Sequence, residues 1–464
     1  MNAQQLLQEI SDYCRRTGLA ESTFGRRAVN DGKLTARLRN GGRITTDTLD
    51  RIRGFMAAHP AQGERPAIIE RTREARAASS APPASAPTKS GGDPQRNFRF
   101  FDNRQKYLLF VNTCSEKWEV AHRVSEELAH LHPRPPAVRV FDAGVGDGTV
   151  LVRVMRAMHD RFPHMPFYTV GKEISLEDVR LTLQKMSDRF FEHPASVLVL
   201  TNLAYADAPW LAVKSVNAAS SLVWHELPLI GNSAHQFEKQ IISLESFLAD
   251  NWKANVSART GNPIYERPVV LVIYREDHRF LLDPIIPKPG GTQANYDLVI
   301  ASQPYRARSP LEFKAKRVIA PLARALGPGG RLVAIQSHGH DPGMEIIRKV
   351  WPDDNPFIHD RHQILKAVKH ELGSAGRDLN FNAYADNRAL FRYVMHTLPS
   401  EISESIGTST LFAAWNAAIY VAQVEDDRLA EVGNRYIDAT RSVLRERGGL
   451  WFFDESYVIS RRRQ

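Results

Sequence analysis

The segment Asp142-Ala143-Gly144-Val145-Gly146-Asp147-Gly148 is the part of the chain best equipped for ligand chemistry. It follows an apolar run that begins at Val138 and leads into a helical run, Val150–Met158. Glycines at alternate positions remove Cβ atoms from a tight turn, so the backbone can approach a ligand closely. A dinucleotide loop would carry its third glycine one place later, where Thr149 stands. Asp142, two residues ahead of the first glycine, suits a ligand with an ammonium group rather than a pyrophosphate. A second constellation is His338-Gly339-His340-Asp341. It offers a general base or a substrate anchor, or else a plain polar loop. It is not a metal site by itself, and no metal is expected. Trp224-His225-Glu226 is a weaker candidate.

Such residues need a frame to hold them. Pro166–Glu173 reads as a second strand ending in an acid, and Leu176–Phe190 as an amphipathic helix. Ala195–Asn202 is a third strand and Tyr296–Tyr305 a fourth. A helix over Leu311–Leu326 then meets a Gly327-Pro-Gly-Gly330 turn and a fifth strand running to His338. Alternating strands and helices imply an α/β fold with a doubly wound parallel sheet and ligands at the carboxyl ends of its strands.

The glycine loop, the acid after the second strand and the Pro-Gly-Gly turn resemble class I S-adenosylmethionine-dependent methyltransferases over about 138–340. The resemblance implies a Rossmann-like sheet and S-adenosylmethionine as cofactor. It would be held by Asp142, Gly144, Gly146 and Gly148, with Glu173 on the ribose hydroxyls. Asn202 stands where the family often has an Asp that contacts the adenine amine; an amide oxygen can accept the same bond.

Ser302-Gln303-Pro304-Tyr305 closes the fourth strand. It resembles the Asp/Asn/Ser-Pro-Pro-Tyr motif of methyltransferases acting on adenine or glutamine amide nitrogen, with Gln303 replacing the first proline. The resemblance gives Ser302 and Tyr305 roles at the acceptor, with His338 beside them. Tyr305 would stack on the acceptor, or else merely pack. About 90 residues, 208–295, separate the third and fourth strands. A parallel crossover needs only a dozen or so, so this is a substrate element or cap. Helices are expected over Phe237–Trp252, His362–Leu372, Asn387–Leu398 and Asp427–Arg447. A helix or strand is expected over Leu411–Val424, and a final strand after Gly449. Tyr107, Phe110 and Trp118 belong to an aromatic-rich approach that reads as core or a lid over the cofactor.

The N-terminal segment differs in kind. Leu6, Leu7, Ile10 and Tyr13 recur at helical spacing, and short helices follow around Phe24, over Lys33–Arg39 and after Thr46. This pattern in residues 1–60 resembles the lambda-repressor-like helix-turn-helix family. The resemblance makes Lys33–Arg39 a recognition helix and implies DNA contacts from Lys33, Arg37, Arg39 and Arg43. By the same analogy the protein would be a homodimer. The alternative is a small helical module with a solvated basic face. Residues 61–96, rich in Pro, Ala and Ser, read as a linker, and 97–464 as the methyltransferase body.

Charge supports this division. The 464 residues carry a formal +9, but residues 1–100 hold 17 Lys/Arg against 10 Asp/Glu, leaving 44 against 42 in the rest. A nearly neutral body argues against a DNA-threading active site. The two cysteines, Cys14 and Cys114, provide no disulfide framework. No apolar run is long enough to span a membrane, and no secretory leader is evident; a cytoplasmic protein is expected. The sequence therefore favours a methyltransferase of small molecules or proteins tethered to a DNA-binding module. A DNA adenine N6-methyltransferase, or a regulator that senses S-adenosylmethionine, is the alternative.

Overall fold

A computed structural model describes residues 3–17, 19–29, 31–39, 46–58, 104–257, 263–397, 399–403 and 405–463. The expected linker 61–96 and Arg43 lie outside them. The chain forms two units, Met1–Lys89 and Ser90–Gln464.

The first unit contains α1 (Ala3–Thr17), α2 (Glu21–Val29), α3 (Leu34–Arg39) and α4 (Thr46–Ala58). Its core is Leu6, Ile10, Tyr13, Phe24, Leu34, Leu38 and Ile52. The residues of α1 in that list lie three or four apart and so share one face. Gly25 permits the turn after α2: a Cβ there would stand 2.3 Å from the Asp31 carbonyl oxygen.

The second unit opens with α5 (Arg104–Thr113) and α6 (Glu116–Glu126). Its strands are β1 (Val138–Asp142), β2 (Phe167–Lys172), β3 (Ser196–Thr201), β4 (Val223–Leu229), β5 (Ala254–Val256), β6 (Pro263–Tyr265), β7 (Val269–Arg275), β8 (Tyr296–Ser302), β9 (Leu326–Ser337), β10 (Leu379–Asn382), β11 (Leu390–Val394) and β12 (Trp451–Arg461). The helix α7 (Thr149–Arg161) follows the glycine loop. The main sheet has the order β10-β12-β9-β8-β1-β2-β3-β7-β4, with β11 also paired to β12. Strands β3, β2, β1, β8 and β9 are mutually parallel, while β12 and β7 run antiparallel to them at either side. The expected Rossmann-like, doubly wound α/β sheet with an insertion between β3 and β8 is therefore present.

Alternation along β8 shows how the layers form. Leu298 and Ile300 pack with Val120, Val124, Val154 and Met158 on one face. Val299 and Ala301 pack with Val318, Leu322, Ile364 and Val368 on the other. Phe141 is fully buried, and truncating such a residue to Ala costs about 3–5 kcal/mol.

The insertion adds β7, whose seven residues are all buried, and the edge strand β4, which carries His225 and Glu226. The helices expected over Leu176–Phe190 and Phe237–Trp252 are each broken in two. So is that over Asp427–Arg447, around Gly433 with its φ of 57°. The helix expected over Asn387–Leu398 is replaced by a turn of helix and β11. Residues 390–394 match β12 one for one in an antiparallel ladder, and Tyr393 is buried. Tertiary pairing overrides the local pattern there. Leu411–Val424 resolves as a helix, Thr408–Val421.

Candidate cofactor and substrate site

The chain runs outward from β1 to β2 and β3 on one side, and from β8 to β9 on the other. The β1/β8 boundary is thus a topological switch point, where the two flanking loops diverge and leave a crevice. The glycine loop follows β1, and Ser302-Gln303-Pro304-Tyr305 follows β8.

In the loop, Gly146 and Gly148 have φ of 56° and 80°. Gly148 caps α7, and a Cβ there would stand 2.9 Å from the Thr182 Cα. No other residue type fits both constraints. Gly144 has open space where its Cβ would be. Asp142 is buried, and its Oδ1 accepts from the Gly144 N–H at 3.1 Å. Burial, with the nearby Glu173 charge, pushes its carboxyl up to about 7.

Glu173 ties the end of β2 to this loop. Its carboxylate accepts from the N–H groups of Gly146 at 2.9 Å, Ile174 at 2.7 Å and Ser175 at 2.9 Å. A carboxylate has about four acceptor positions, so one remains for a ligand hydroxyl. Asp147 lies under opposing influences: burial raises its carboxyl, but the Thr149 hydroxyl and the Lys185 and Lys117 ammoniums outweigh that and lower it. The Tyr107 hydroxyl lies 3.4 Å from the Asp147 amide nitrogen. The aromatic approach therefore does reach the loop.

Two lysines that sequence reasoning passed over belong here. Lys117 pairs with Glu116 at 3.2 Å and is held protonated by it against the cost of burial. Lys172 lies 4.7 Å from the Tyr205 ring centroid, and burial lowers it. Tyr205 donates to the Pro304 carbonyl at 2.8 Å, which bridges the β3 and β8 loops. The signal for Lys172 was its position beside Glu173; nothing local marked Lys117.

Asn202 does not reach freely toward a base. Its Oδ1 accepts from the Val269 N–H at 2.8 Å and its Nδ2 donates to the Arg267 carbonyl at 2.8 Å. The amide thus anchors the start of β7, leaving one Oδ1 lone pair.

On the acceptor side, Ser302 and Tyr305 diverge. The Ser302 hydroxyl is buried and has no hydrogen-bond partner among the described residues. An orphaned polar group of this kind costs about 1–3 kcal/mol unless a ligand satisfies it. Tyr305, expected to stack on the acceptor, is instead built into the core. Its hydroxyl donates to the Gln336 Oε1 at 2.8 Å and lies 3.0 Å from that of Tyr457. The Lys314 ammonium stands 5.0 Å from its ring centroid. Gln303 has a φ of 47°, and its Nε2 donates to the Ser337 hydroxyl at 3.1 Å. A non-glycine residue held there stores strain, as functional turns often do.

His338 is partly buried, and burial lowers its imidazole below the ordinary range. Its Nδ1 is 3.9 Å from the Glu455 carboxylate, and its Nε2 is 3.1 Å from His340. It is therefore neutral near pH 7 and can accept a proton. Asp341 is spent on capping: it accepts from the N–H groups of Met344 at 2.9 Å and Phe453 at 3.2 Å. Among the described residues no group of three His, Cys, Asp or Glu could hold a metal ion. No described helix is long and apolar enough to cross a membrane.

In the N-terminal unit, Lys33 immediately precedes α3 and its N–H donates to Asp31 at 2.9 Å. Arg37 pairs with Asp31 at 2.9 Å, and Arg39 pairs with Glu21 at 2.6 Å.

No family model matches the chain, and no curated protein does. Among solved structures it is similar to a geranyl diphosphate methyltransferase in complex with GPP and sinefungin. That match has 14% identity over 73% of this chain and 77% of the other, with a TM-score of 0.28. It is also similar to a loganic acid methyltransferase with SAH, at 10% identity over 80% of this chain and 98% of the other, with a TM-score of 0.30.

Proposed function

We propose that the body is an S-adenosylmethionine-dependent methyltransferase acting on a small molecule or a protein, and that the N-terminal unit binds DNA. The observation that carries this reading is what meets at the β1/β8 switch point: a glycine loop, the acids Asp142 and Glu173, and the orphaned Ser302 hydroxyl. A cationic ligand suits this crevice, because it would relieve the burial of Asp142 beside a second carboxylate. The space before Gly144 admits the ligand, and the free acceptor position of Glu173 suits a ribose hydroxyl. When bound, the cofactor supplies an electrophilic methyl group on a positively charged sulfur. The protein's part is to hold the acceptor in line with it. Ser302 would bond to the acceptor, and neutral His338 would take its proton. The burial of Tyr305 leaves little of its ring for an adenine acceptor to stack on, which supports the other acceptor classes.

Calorimetry with S-adenosylmethionine tests the cofactor. Intact protein should bind, and Glu173→Ala should weaken binding about ten- to hundredfold, as loss of a hydrogen bond to a charged group does. Absence of heat with the intact protein would sink the reading. Tritium transfer from labelled cofactor to small-molecule, protein and DNA pools then identifies the acceptor.

A further inference from the structure

A cleft of about 620 Å³ opens on the β10 edge of the main sheet, separated from β1 by β12, β9 and β8. His130, Arg331, Lys369, Arg388 and Arg462 line it, and no Asp or Glu does. These residues are far apart in sequence. The strand register gathers them: Arg331 on β9 faces Ser460 on β12, which in turn faces Asn380 on β10. Lys369 comes from the helix Arg361–Leu372.

The cations are not equivalent. Arg331 is neutralised by Glu127 at 2.6 Å. Lys369, Arg388 and Arg462 make no ion pair with any carboxylate among the described residues. Two of them are nevertheless held in place. The Arg388 guanidinium carbon lies 3.9 Å from the Tyr384 ring centroid, and the Arg462 Nε donates to the Asn380 Oδ1 at 3.4 Å. Tyr384 takes a φ of 53°, and its carbonyl accepts from Arg361 at 3.3 Å. The platform under Arg388 is thus set by a strained, anchored residue. Positive groups collected in one concavity repel one another and focus their field outward.

We propose that this cleft is an anion site for a small molecule bearing a phosphate or diphosphate group, distinct from the glycine-loop crevice. Guanidinium and ammonium groups are the natural donors to phosphoryl oxygens. A concavity of this volume falls in the range for small ligands, about 300–1,000 Å³.

Inorganic pyrophosphate and adenosine diphosphate, titrated calorimetrically into the full chain at low salt, distinguish a bare phosphate source from a nucleotide. At least one should bind. Lys369, Arg388 and Arg462 are exposed, so replacing all three by Ala should leave the thermal midpoint unchanged. That change should weaken binding about tenfold or more. If the triple variant fails to fold, Lys369→Gln alone should show a loss of about two- to threefold. A control removing the exposed Lys239, Lys253 and Lys288 changes net charge equally and should leave affinity intact, as should Glu173→Ala. The inference is overturned if neither probe binds, if the control variant loses as much affinity as the cleft variant, or if Glu173→Ala abolishes the binding.

Discussion

In the N-terminal unit, the arginines best placed for a nucleic-acid contact are already engaged. Arg37 sits 2.9 Å from Asp31, and Arg39 reaches both oxygens of Glu21, at 2.6 and 2.7 Å. In the body, which holds only a small share of the net charge, Lys369, Arg388 and Arg462 face a cleft without a carboxylate. Arg26, Arg27 and Lys33 are exposed in the same unit and outside these pairs, so net charge and available charge are different quantities in both units. A count of Lys and Arg locates the first, and only the pairing pattern locates the second. The contrast is one of degree, because exposed pairs are worth only about 0–1 kcal/mol and a phosphate can displace them.

The largest test of this contrast lies behind the cleft. Glu127 is fully buried and accepts from Arg123 at 2.9 Å and from Arg331 at 2.6 Å. Burial alone would raise its carboxyl, but the two guanidiniums outweigh that and lower it. Stability from this group is therefore present above the ordinary Glu range and lost as pH falls through the lowered value. Glu127→Ala leaves Arg331 without a carboxylate among the described residues and Arg123 with only Glu126 at 3.4 Å, and breaking a buried pair in this way costs about 3–5 kcal/mol. Denaturant titration should show that loss, and pyrophosphate affinity should rise because Arg331 is released. A neutral effect on stability would mean that the two arginines find other partners.

Asp142 presents the opposite imbalance, a buried acid with too little positive charge around it. Its carboxyl sits at about 7, above the unfolded-chain value of about 4. The native state thus holds the proton more tightly. The stability this confers is complete below about pH 4 and is lost as pH rises to about 7. Asp142→Asn should be more stable than the parent at pH 8, by about 1–3 kcal/mol, with the gap closing toward pH 4. A cationic cofactor favours the carboxylate. Its affinity should therefore rise up to about tenfold per pH unit below pH 7 and then level off, with a proton released on binding. Calorimetry in buffers of different ionisation enthalpy reads that proton. A flat profile in the parent protein would remove Asp142 from the cofactor's environment.

Much of the frame was legible because strands buried on both faces leave continuous apolar runs. Strands β3 and β7 announce themselves in this way, through Val197–Leu200 and Val269–Tyr274, and the glycines of the β1 loop carry their own steric reason. What was not legible depends on partners distant in sequence. Residues 390–394 look helical until β12 pairs with them. Tyr305 looks like a stacking ring until Gln336 and Tyr457 take its hydroxyl. Asn202 looks wholly free to read a base, but its Oδ1 accepts from Val269 at the start of β7 and its Nδ2 donates to Arg267 just before it, which leaves one Oδ1 lone pair for a ligand. The cleft is the extreme case, since His130 and Arg462 lie more than three hundred positions apart.

The smallest expected effect concerns the engaged arginines. If α3 approaches DNA, Arg37 and Arg39 must leave Asp31 and Glu21 before meeting a phosphate. Each exchange costs about the worth of an exposed pair, 0–1 kcal/mol. Asp31→Asn combined with Glu21→Gln removes that cost and should strengthen duplex binding by the full chain a few-fold, about tenfold at most. The same variant should lose little stability, although Glu21 also accepts from Ser11 at 3.0 Å. Replacing Arg37 and Arg39 by Ala should instead weaken binding and flatten its salt dependence by about two counterions. Fluorescence anisotropy across a salt series measures both. If the acid-to-amide variant binds no better and the Arg-to-Ala variant no worse, the two arginines serve only to hold α2 and α3 together, and any DNA contact falls to other cations of the unit, such as the exposed Arg26, Arg27 and Lys33.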